Sequence, residues 1–324
     1  MLAAVLAAPR NIVVREAPVP APGPGEVRVR VEGCGVCASN LPPWEGKPWF
    51  EYPMAPGQLG HEAWGRVDAL GDGVEDLRAG QRVTLLSDHA YAEYDVAPAE
   101  QVVALPEALA DQPFPGEPLG CAVNILRRSA IGAGDTVAIV GVGFLGALLT
   151  RLASHAGARV IAITRRPYAL EVARRMGAAE IVPMDDHQGI IRRVGELTDG
   201  ALCDVVIEAT GKQWPLDLAA ELTRERGRLI IAGYHQDGPR QVNMQLWNWR
   251  GLDVINAHER DPMVYMAGIR TAIDAVCDGT LDPAPLYTHA LPLARLGEGL
   301  TLTEERPEGF CKALVLMGDG AGAS

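Results

Sequence analysis

Apolar residues follow two different patterns along the chain, and these patterns divide it into parts of different fold. Up to about residue 120, short apolar runs alternate with glycine and proline, as in EVRVRVEGCGV (26–36), EAWGRVDAL (62–70) and QRVTLL (81–86). Runs of this length between turn residues are typical of antiparallel strands. The first part of the chain is therefore predicted to be β-rich.

From residue 135 the pattern changes to strands that alternate with helices. DTVAIVGVG (135–143) has the pattern of a buried strand entering a glycine turn, and FLGALLTRLASHAG (144–157) has apolar residues at helical spacing. The alternation continues through RVIAIT, PYALEVARRMGA, EIV, DVVIEAT and RLIIAG. Elements in this order form βαβ units with right-handed crossovers, and so predict a doubly wound parallel sheet.

The end of the chain is predicted to return to the first domain. A helix, PMVYMAGIRTAIDAVCDG (262–279), leads to a last apolar run, KALVLM (312–317), which has the pattern of a strand. The sequence thus predicts an α/β protein with two domains. A β-rich domain covers residues 1–121 and 259–324, and a doubly wound domain over residues 122–258 is inserted into it.

Size and charge narrow the classes of function. A chain of 324 residues suits two domains, because single domains cluster near ~100–200 residues. The net charge of −12 disfavours a nucleic-acid partner, because binding to phosphates depends on Lys and Arg. No apolar run approaches the ~20 residues that span a bilayer, and no signal peptide is apparent, so we expect no membrane contact and a cytoplasmic location. The six cysteines are then expected to be thiols or metal ligands.

Three glycines mark a dinucleotide-binding turn. Gly141, Gly143 and Gly146 form the pattern GxGxxG between the predicted strand and helix. Gly141 permits the tight turn, Gly143 lets the backbone approach a pyrophosphate, and Gly146 lets helix and strand pack closely. Phe144 and Leu145 complete the turn, where the helix N-terminus offers free N–H groups to the anion.

The end of the next strand bears on the choice of nicotinamide cofactor. An acidic residue there accepts hydrogen bonds from the ribose 2′-hydroxyl of NAD. This chain instead has Thr164, followed by Arg165 and Arg166, whose guanidinium groups suit a 2′-phosphate. NADP is the predicted cofactor; NAD is the alternative, in which the two arginines are only a solvated helix start.

The β-rich part contains candidate zinc ligands. Cys37 lies in GCGVCASN, and His61 and Glu62 lie about 23 residues later in GQLGHEAWG. A thiolate and an imidazole are typical zinc ligands, and catalytic zinc takes three protein ligands and one open position. The third ligand could be Glu62, or Glu117 or Cys121 in GEPLGCAVN.

Taken in order, the motifs GCGVC, GHE, GQRV, EPLGCA, GVGFLG, IEATG and KALV resemble the medium-chain dehydrogenase/reductase superfamily, in its zinc-dependent alcohol and polyol dehydrogenase branch. The resemblance covers nearly the whole chain. It implies a GroES-like catalytic domain and a Rossmann domain, a small alcohol or carbonyl substrate, and a homodimer or homotetramer. The stretch LWNWRGLDVINAHERD stands where the family has an edge strand of the cofactor domain that pairs across a dimer interface.

The same resemblance assigns roles to individual residues. Cys37, His61 and often Glu62 hold the catalytic zinc, joined by a cysteine at Cys121 in alcohol dehydrogenases or a glutamate at Glu117 in polyol dehydrogenases. Ser39 takes the substrate proton as the hydride moves between substrate and nicotinamide. Lys312 matches a basic position near the cofactor pyrophosphate, with a solvated lysine as the alternative.

Three departures from the family stand out. The lobe of four cysteines that binds a structural zinc is missing after Val83, so one catalytic zinc and no structural zinc are predicted. Asn40 replaces an aspartate that tunes the metal environment, and Pro42 replaces the histidine that ends the proton relay. Asn40 and Pro42 favour one alternative, a catalytically silent NADP-binding protein. A second alternative is a zinc-free quinone or enoyl reductase of the same superfamily, against which the Cys37 and GHE motifs argue.

Some aromatic residues and one histidine have two interpretations each. Trp44, Trp49 and Phe50, between the two metal motifs, are candidates for walls of the substrate pocket, or else pack within their loop. His258 is either a structural histidine or a substrate contact.

Overall fold

The fold is that of a computed structural model, which describes residues 1–318. Residues 319–324, the end of the predicted β-rich domain, lie outside the described residues. The chain divides into a first unit, residues 1–120 together with the chain from Asp261, and a second unit, Cys121–Arg260. These divisions fall one and two residues from the predicted domain boundaries.

Strands predominate in the first unit, whereas strands and helices alternate in the second. In chain order, the strands are β1 (Leu2–Ala8), β2 (Asn11–Glu16), β3 (Glu26–Gly35), β4 (Ala63–Leu70), β5 (Arg82–Leu85), β6 (Tyr94–Pro98), β7 (Val102–Ala104), β8 (Thr136–Val140), β9 (Arg159–Thr164), β10 (Glu180–Pro183), β11 (Cys203–Glu208), β12 (Thr223–Ile231), β13 (Asp253–Asn256), β14 (Tyr287–Pro292) and β15 (Lys312–Leu316). The α-helices are α1 (Leu41–Glu45), α2 (Gly116–Ser129), α3 (Phe144–His155), α4 (Pro167–Arg175), α5 (His187–Leu197), α6 (Gln213–Leu222), α7 (Met244–Arg250), α8 (Pro262–Cys277) and α9 (Leu296–Glu305).

The first unit is built on a largely antiparallel sheet in the order β14-β15-β3-β4-β5-β7, with β6 paired to β3. Along β3, Val27, Val29 and Val31 are buried and alternate with half-buried or exposed polar residues, so one face of the strand enters the core. The end of the chain lies in this sheet, because β15 pairs with β3. The end of β3 and the start of β4 lie side by side, with Cys34 opposite Ala63.

The second unit contains a parallel sheet in the order β10-β9-β8-β11-β12-β13, which confirms the predicted doubly wound fold. The central strands are largely apolar because helices cover both faces of such a sheet. In β8, Val137 through Val140 have no exposed surface. β8 lies between β9 and β11, so the turns that follow these three strands share one edge of the sheet, the usual ligand side of this fold.

In the part of the chain that the structure describes, no helix combines the length and the apolar character that crossing a membrane requires.

Candidate active site

The three residues of the two predicted metal motifs come together. Cys37 follows β3, and His61 and Glu62 immediately precede β4, so the antiparallel pairing of these strands joins the motifs at one edge. One ligand atom from each of the three residues lies within 4.8 Å of the others, and no other such group occurs within residues 1–318. The set of a thiolate, an imidazole and a carboxylate has the chemistry of a zinc site.

His61 is oriented by its own loop. Its Nδ1 lies 2.8 Å from the Leu59 carbonyl oxygen, and its Nε2 lies 3.4 Å from Ser39 Oγ. Because a carbonyl only accepts, Nδ1 carries the donated proton. In a neutral imidazole Nε2 then keeps its lone pair, which is the state that binds a metal.

Several acidic groups surround His61. Burial alone lowers the pKa of this imidazole, but the hydrogen bond to Cys37 and the charges of Cys37, Glu117 and Glu62 raise it to about 10. The neighbouring groups therefore favour a positive charge at this position. A divalent cation would supply that charge and replace the proton on Nε2.

Glu62 forms a buried ion pair with Lys312. The Lys312 Nζ lies 2.7 Å from Oε1 and 2.6 Å from Oε2 of Glu62, and the two side chains are 6% and 1% exposed respectively. Gly35 makes room for the pair, since a Cβ there would lie 1.8 Å from Glu62 Oε2. Burial lowers the pKa of Lys312, but the charge and hydrogen bond of Glu62, together with the charges of Cys37 and Glu117, outweigh burial and raise the pKa. The structure thus places the predicted pyrophosphate contact against Glu62.

Cys34 has a different environment from Cys37. Its side chain is fully buried, and burial, reinforced by the charge of Glu62, raises its thiol pKa well above the ordinary value. A thiol binds zinc as the thiolate. Cys34 therefore acts as a core residue, and Cys37 is the metal candidate of this pair.

Helix α2, which the sequence pattern did not reveal, brings Glu117 toward the site. The Gly116 N–H donates to Thr84 Oγ1 at 3.0 Å, and the same hydroxyl donates to the Ala63 carbonyl at 2.8 Å. The first turn of α2 is thereby tied to the residue that follows Glu62. Cys121 lies one helical turn after Glu117 and is the first residue of the second unit.

Asn40 is buried beside this site. Its Nδ2 donates to the Leu59 carbonyl at 3.1 Å, and its Oδ1 accepts from the Tyr91 hydroxyl at 2.7 Å. The Leu59 carbonyl therefore accepts from both Asn40 and His61. Leu59 itself has a φ of +82°, which is unusual for a side chain of this size.

The glycine turn has the local geometry expected of a dinucleotide loop. Gly141 has a φ of +100°, and a Cβ on Gly146 would lie 2.1 Å from the Gly141 carbonyl oxygen. Gly143 is the N-cap of α3, and a Cβ there would meet no atom within 4 Å. Phe144 and Leu145 form the first turn of α3. The backbone at Gly143 thus faces open space, as an approaching phosphate requires.

The end of β9 lies at the same edge of the sheet. Thr164 is buried, Arg165 is exposed, and Arg166 is the half-buried N-cap of α4. The strand is parallel to β8 and pairs with it up to Val140 and Ile163. Its last residues therefore follow the strand beside the glycine turn.

Two domain models from known proteins match the chain. The alcohol dehydrogenase GroES-like domain matches residues 23–107, and the zinc-binding dehydrogenase domain matches residues 145–276. The chain belongs to the zinc-type branch of the medium-chain dehydrogenase/reductase superfamily. The family and the GroES-like and Rossmann fold class predicted from the sequence are thereby confirmed, and the chain is a dehydrogenase.

Individual relatives extend over nearly the whole dehydrogenase. This chain is 28% identical to a sorbitol dehydrogenase from Halalkalibacterium halodurans, over 86% of this chain and 88% of that protein. An alcohol dehydrogenase from Thermus sp. ATN1 matches with a TM-score of 0.83 and 26% identity, over 98% of this chain and 100% of that one. A zinc-binding dehydrogenase from Sinorhizobium meliloti 1021, solved bound to NADP, matches with a TM-score of 0.83 and 27% identity, over 97% and 98%.

The dehydrogenase also has a polar network that the sequence pattern did not predict. Glu208, at the end of β11, is fully buried and accepts from the Gly211 N–H at 2.9 Å and from the Thr210 N–H and hydroxyl. His235 Nε2 lies 2.9 Å from the second Glu208 oxygen, and Arg240 Nε donates to His235 Nδ1 at 2.8 Å. A Cβ on Gly141 would lie 2.3 Å from the Thr210 methyl group.

This network therefore fixes the segment that packs against the glycine turn. The motif IEATG carried a signal for Glu208, because an acid at the end of a buried strand needs partners. His235 and Arg240 stand in an irregular loop and gave no such signal.

The aromatic candidates separate into different environments. Trp44 is buried in the core of the first unit, with the Arg10 guanidinium 6.0 Å from its ring centroid, so packing accounts for it. Trp49 is 56% exposed, and its role as a pocket wall stays a prediction. His258 stacks on Tyr234 with ring centroids 5.3 Å apart, and burial, with the charge of Arg260, lowers its pKa.

Proposed function

We propose that this dehydrogenase uses one zinc ion and NADP to interconvert an alcohol or polyol and the matching carbonyl compound. The observation that carries the proposal is the convergence of ligand atoms of Cys37, His61 and Glu62 within 4.8 Å of one another. The donor set fits zinc better than magnesium or calcium, which take oxygen ligands. Cys37 and His61 would hold the metal, with Glu62, Glu117 or Cys121 as the third ligand.

When bound, the zinc would lower the pKa of a hydroxyl group attached to it, so that the alcohol can lose its proton near neutral pH. Ser39 is the residue that can accept this proton, because its hydroxyl both accepts and donates and lies 3.4 Å from His61 Nε2. Lys312 neutralises Glu62, which limits the negative charge beside the metal. Pro42 offers no group for a further relay, so Ser39 passes the proton to solvent or to the cofactor ribose.

The preference for NADP is supported by the residues after β9. Arg165 and Arg166 follow this strand where a carboxylate would favour NAD, and guanidinium groups bind phosphate oxygens well. The relative from Sinorhizobium meliloti, solved with NADP, is consistent with this choice. An alcohol or polyol substrate is supported by the relatives named as alcohol and sorbitol dehydrogenases.

A homodimer or homotetramer is also proposed. β13 is the edge strand of its sheet, and several large apolar side chains nearby in sequence are exposed, including Trp249 at 84% and Met244 at 52%. Exposed apolar groups of this kind mark interaction surfaces. Light scattering on the purified protein measures the oligomeric state, and a monomer would contradict this part of the proposal.

One set of measurements tests the function. Elemental analysis should find about one zinc per chain, and a screen of alcohols, polyols and ketones should give turnover with NADP in preference to NAD. Zinc-free protein that reduces activated alkenes would instead support a quinone or enoyl reductase. Zinc-free protein that binds NADP without turnover would support a catalytically silent binding protein.

A further inference from the structure

The structure shows an indirect connection between Asn40 and the metal candidate His61. The Leu59 carbonyl oxygen accepts the Nδ1–H of His61 at 2.8 Å and the amide of Asn40 at 3.1 Å. A carbonyl oxygen has two lone pairs, so these two donors saturate it. Asn40 therefore contacts the same atom that fixes the imidazole.

The orientation of the Asn40 amide is determined by Tyr91. The Tyr91 hydroxyl is buried and donates to Asn40 Oδ1 at 2.7 Å, with the Gly35 carbonyl oxygen 3.2 Å away. The oxygen of the amide therefore faces Tyr91, and its NH₂ group faces Leu59. Both partners of the side chain require an amide, because one is a donor and the other is an acceptor.

The backbone at Leu59 needs such support. A φ of +82° is strained for leucine, and strained residues persist where the surroundings hold them in place. The two hydrogen bonds to the Leu59 carbonyl supply that restraint two residues before His61. Without Asn40, the carbonyl would lose one of the two contacts that hold it.

We propose that Asn40 is a positioning residue for the metal: through the Leu59 carbonyl it holds His61 with Nδ1–H donated and Nε2 directed to the ion. This inference rests on the proposed zinc site. An aspartate at position 40 would place a carboxylate oxygen about where the amide nitrogen now lies, next to the Leu59 carbonyl oxygen, and two acceptors repel one another. In this chain the amide, and not a carboxylate, is the side chain that orients the imidazole.

The test compares zinc binding in Asn40→Asp, Tyr91→Phe and the unaltered protein, by competition with a chelating dye. Asn40→Asp should bind zinc about tenfold more weakly, as expected when a residue that helps to orient a metal ligand is lost. Tyr91→Phe keeps Asn40 and removes only the hydroxyl that donates to it, so a smaller loss of zinc affinity, about two- to fivefold, is expected. Asn11→Asp, at an exposed position of β2, adds the same charge and should change nothing.

Two further readouts separate positioning from general stability. In cobalt-loaded protein, the visible absorption bands should shift in Asn40→Asp because the imidazole has moved. The thermal midpoint of the metal-free protein should change much less than the zinc affinity. Equal or tighter zinc binding by Asn40→Asp overturns the inference, and so does a loss of stability with unchanged zinc affinity. If the unaltered protein binds neither zinc nor cobalt, the proposed function itself fails, and the inference fails with it.

Discussion

The two candidate sites of the dehydrogenase are built in different ways. The glycine turn is local: Gly141, Gly143 and Gly146 lie within six positions, and they act through the backbone. The metal candidate depends on side chains from distant segments, since Cys37 follows β3, His61 precedes β4, and the Glu62 carboxylate is paired with Lys312 of β15. The glycine turn therefore depends mainly on its own residues and on the Thr210 segment packed against it, whereas the metal candidate depends on side chains from three strands.

The largest effect is expected from removing the thiolate. Cys37→Ser should lower metal affinity by at least about a hundredfold. Loss of a residue that hydrogen-bonds to a metal ligand lowers affinity ~10–100-fold, and loss of the ligand itself should cost more. Turnover should fall with metal content, while cofactor binding by the second unit stays intact. Elemental analysis and cofactor fluorescence measure the two properties. Cys277→Ser, at an exposed thiol, is the matched control; equal metal content in both variants would refute the ligand assignment.

A methyl group at Gly35 tests how far the metal candidate depends on its supporting strands. Gly35→Ala should destabilise the protein by about 3 kcal/mol, because the added Cβ displaces Glu62 from a buried ion pair. Gly195→Ala, in the last turn of α5 with no atom within 4 Å of the new Cβ, should instead stabilise it by about 0.5–1 kcal/mol. Denaturant unfolding compares the free energies of unfolding of the two variants. An unchanged stability of Gly35→Ala would show that the Glu62–Lys312 pair can move to accommodate the methyl group.

Removing the two arginines after β9 should change the cofactor preference and leave metal affinity unchanged. The double variant Arg165→Gln, Arg166→Gln should raise KM for NADP by about tenfold or more and leave KM for NAD unchanged, since hydrogen bonds to a charged group contribute about 1.5–3 kcal/mol each. Steady-state kinetics with both cofactors measures the effect. Arg193→Gln, at an exposed position of α5, is the control. A parallel change for both cofactors would contradict a 2′-phosphate contact.

The smallest expected effect concerns pH and the second unit. Burial raises the pKa of Glu208, but hydrogen bonds from His235 and Thr210 outweigh it, so the pKa lies below its ordinary value of 4.5. The ionised carboxylate therefore stabilises the fold above about pH 4.5, and this contribution is lost as the pH falls through the lower folded pKa. Glu208→Gln should weaken the loss of stability on acidification, measured as thermal midpoints from about pH 3 to pH 7. An unchanged slope would argue against this role.

The sequence was most informative where function depends on local pattern. The glycine turn, the strands around it and the two metal motifs were all predicted, since each is a short segment with a distinctive composition. The ion pair of Glu62 with Lys312 could not be predicted, because nothing in KALV indicates which buried acid it meets. Tyr91 and Leu59 were missed for a similar reason: their role depends on a hydrogen bond across the fold and on a backbone angle, and neither leaves a pattern.

The Glu62–Lys312 pair joins positions 250 residues apart. During synthesis the N-terminal segments emerge first, so the acid leaves the ribosome long before its counter-ion. The inserted second unit can fold in this interval, but the sheet that carries Cys37 and His61 is complete only after its last strand, β15, has been synthesised. In a growing polypeptide, formation of the candidate metal site is therefore a late event, and a chain that stops short of β15 lacks the counter-ion of Glu62.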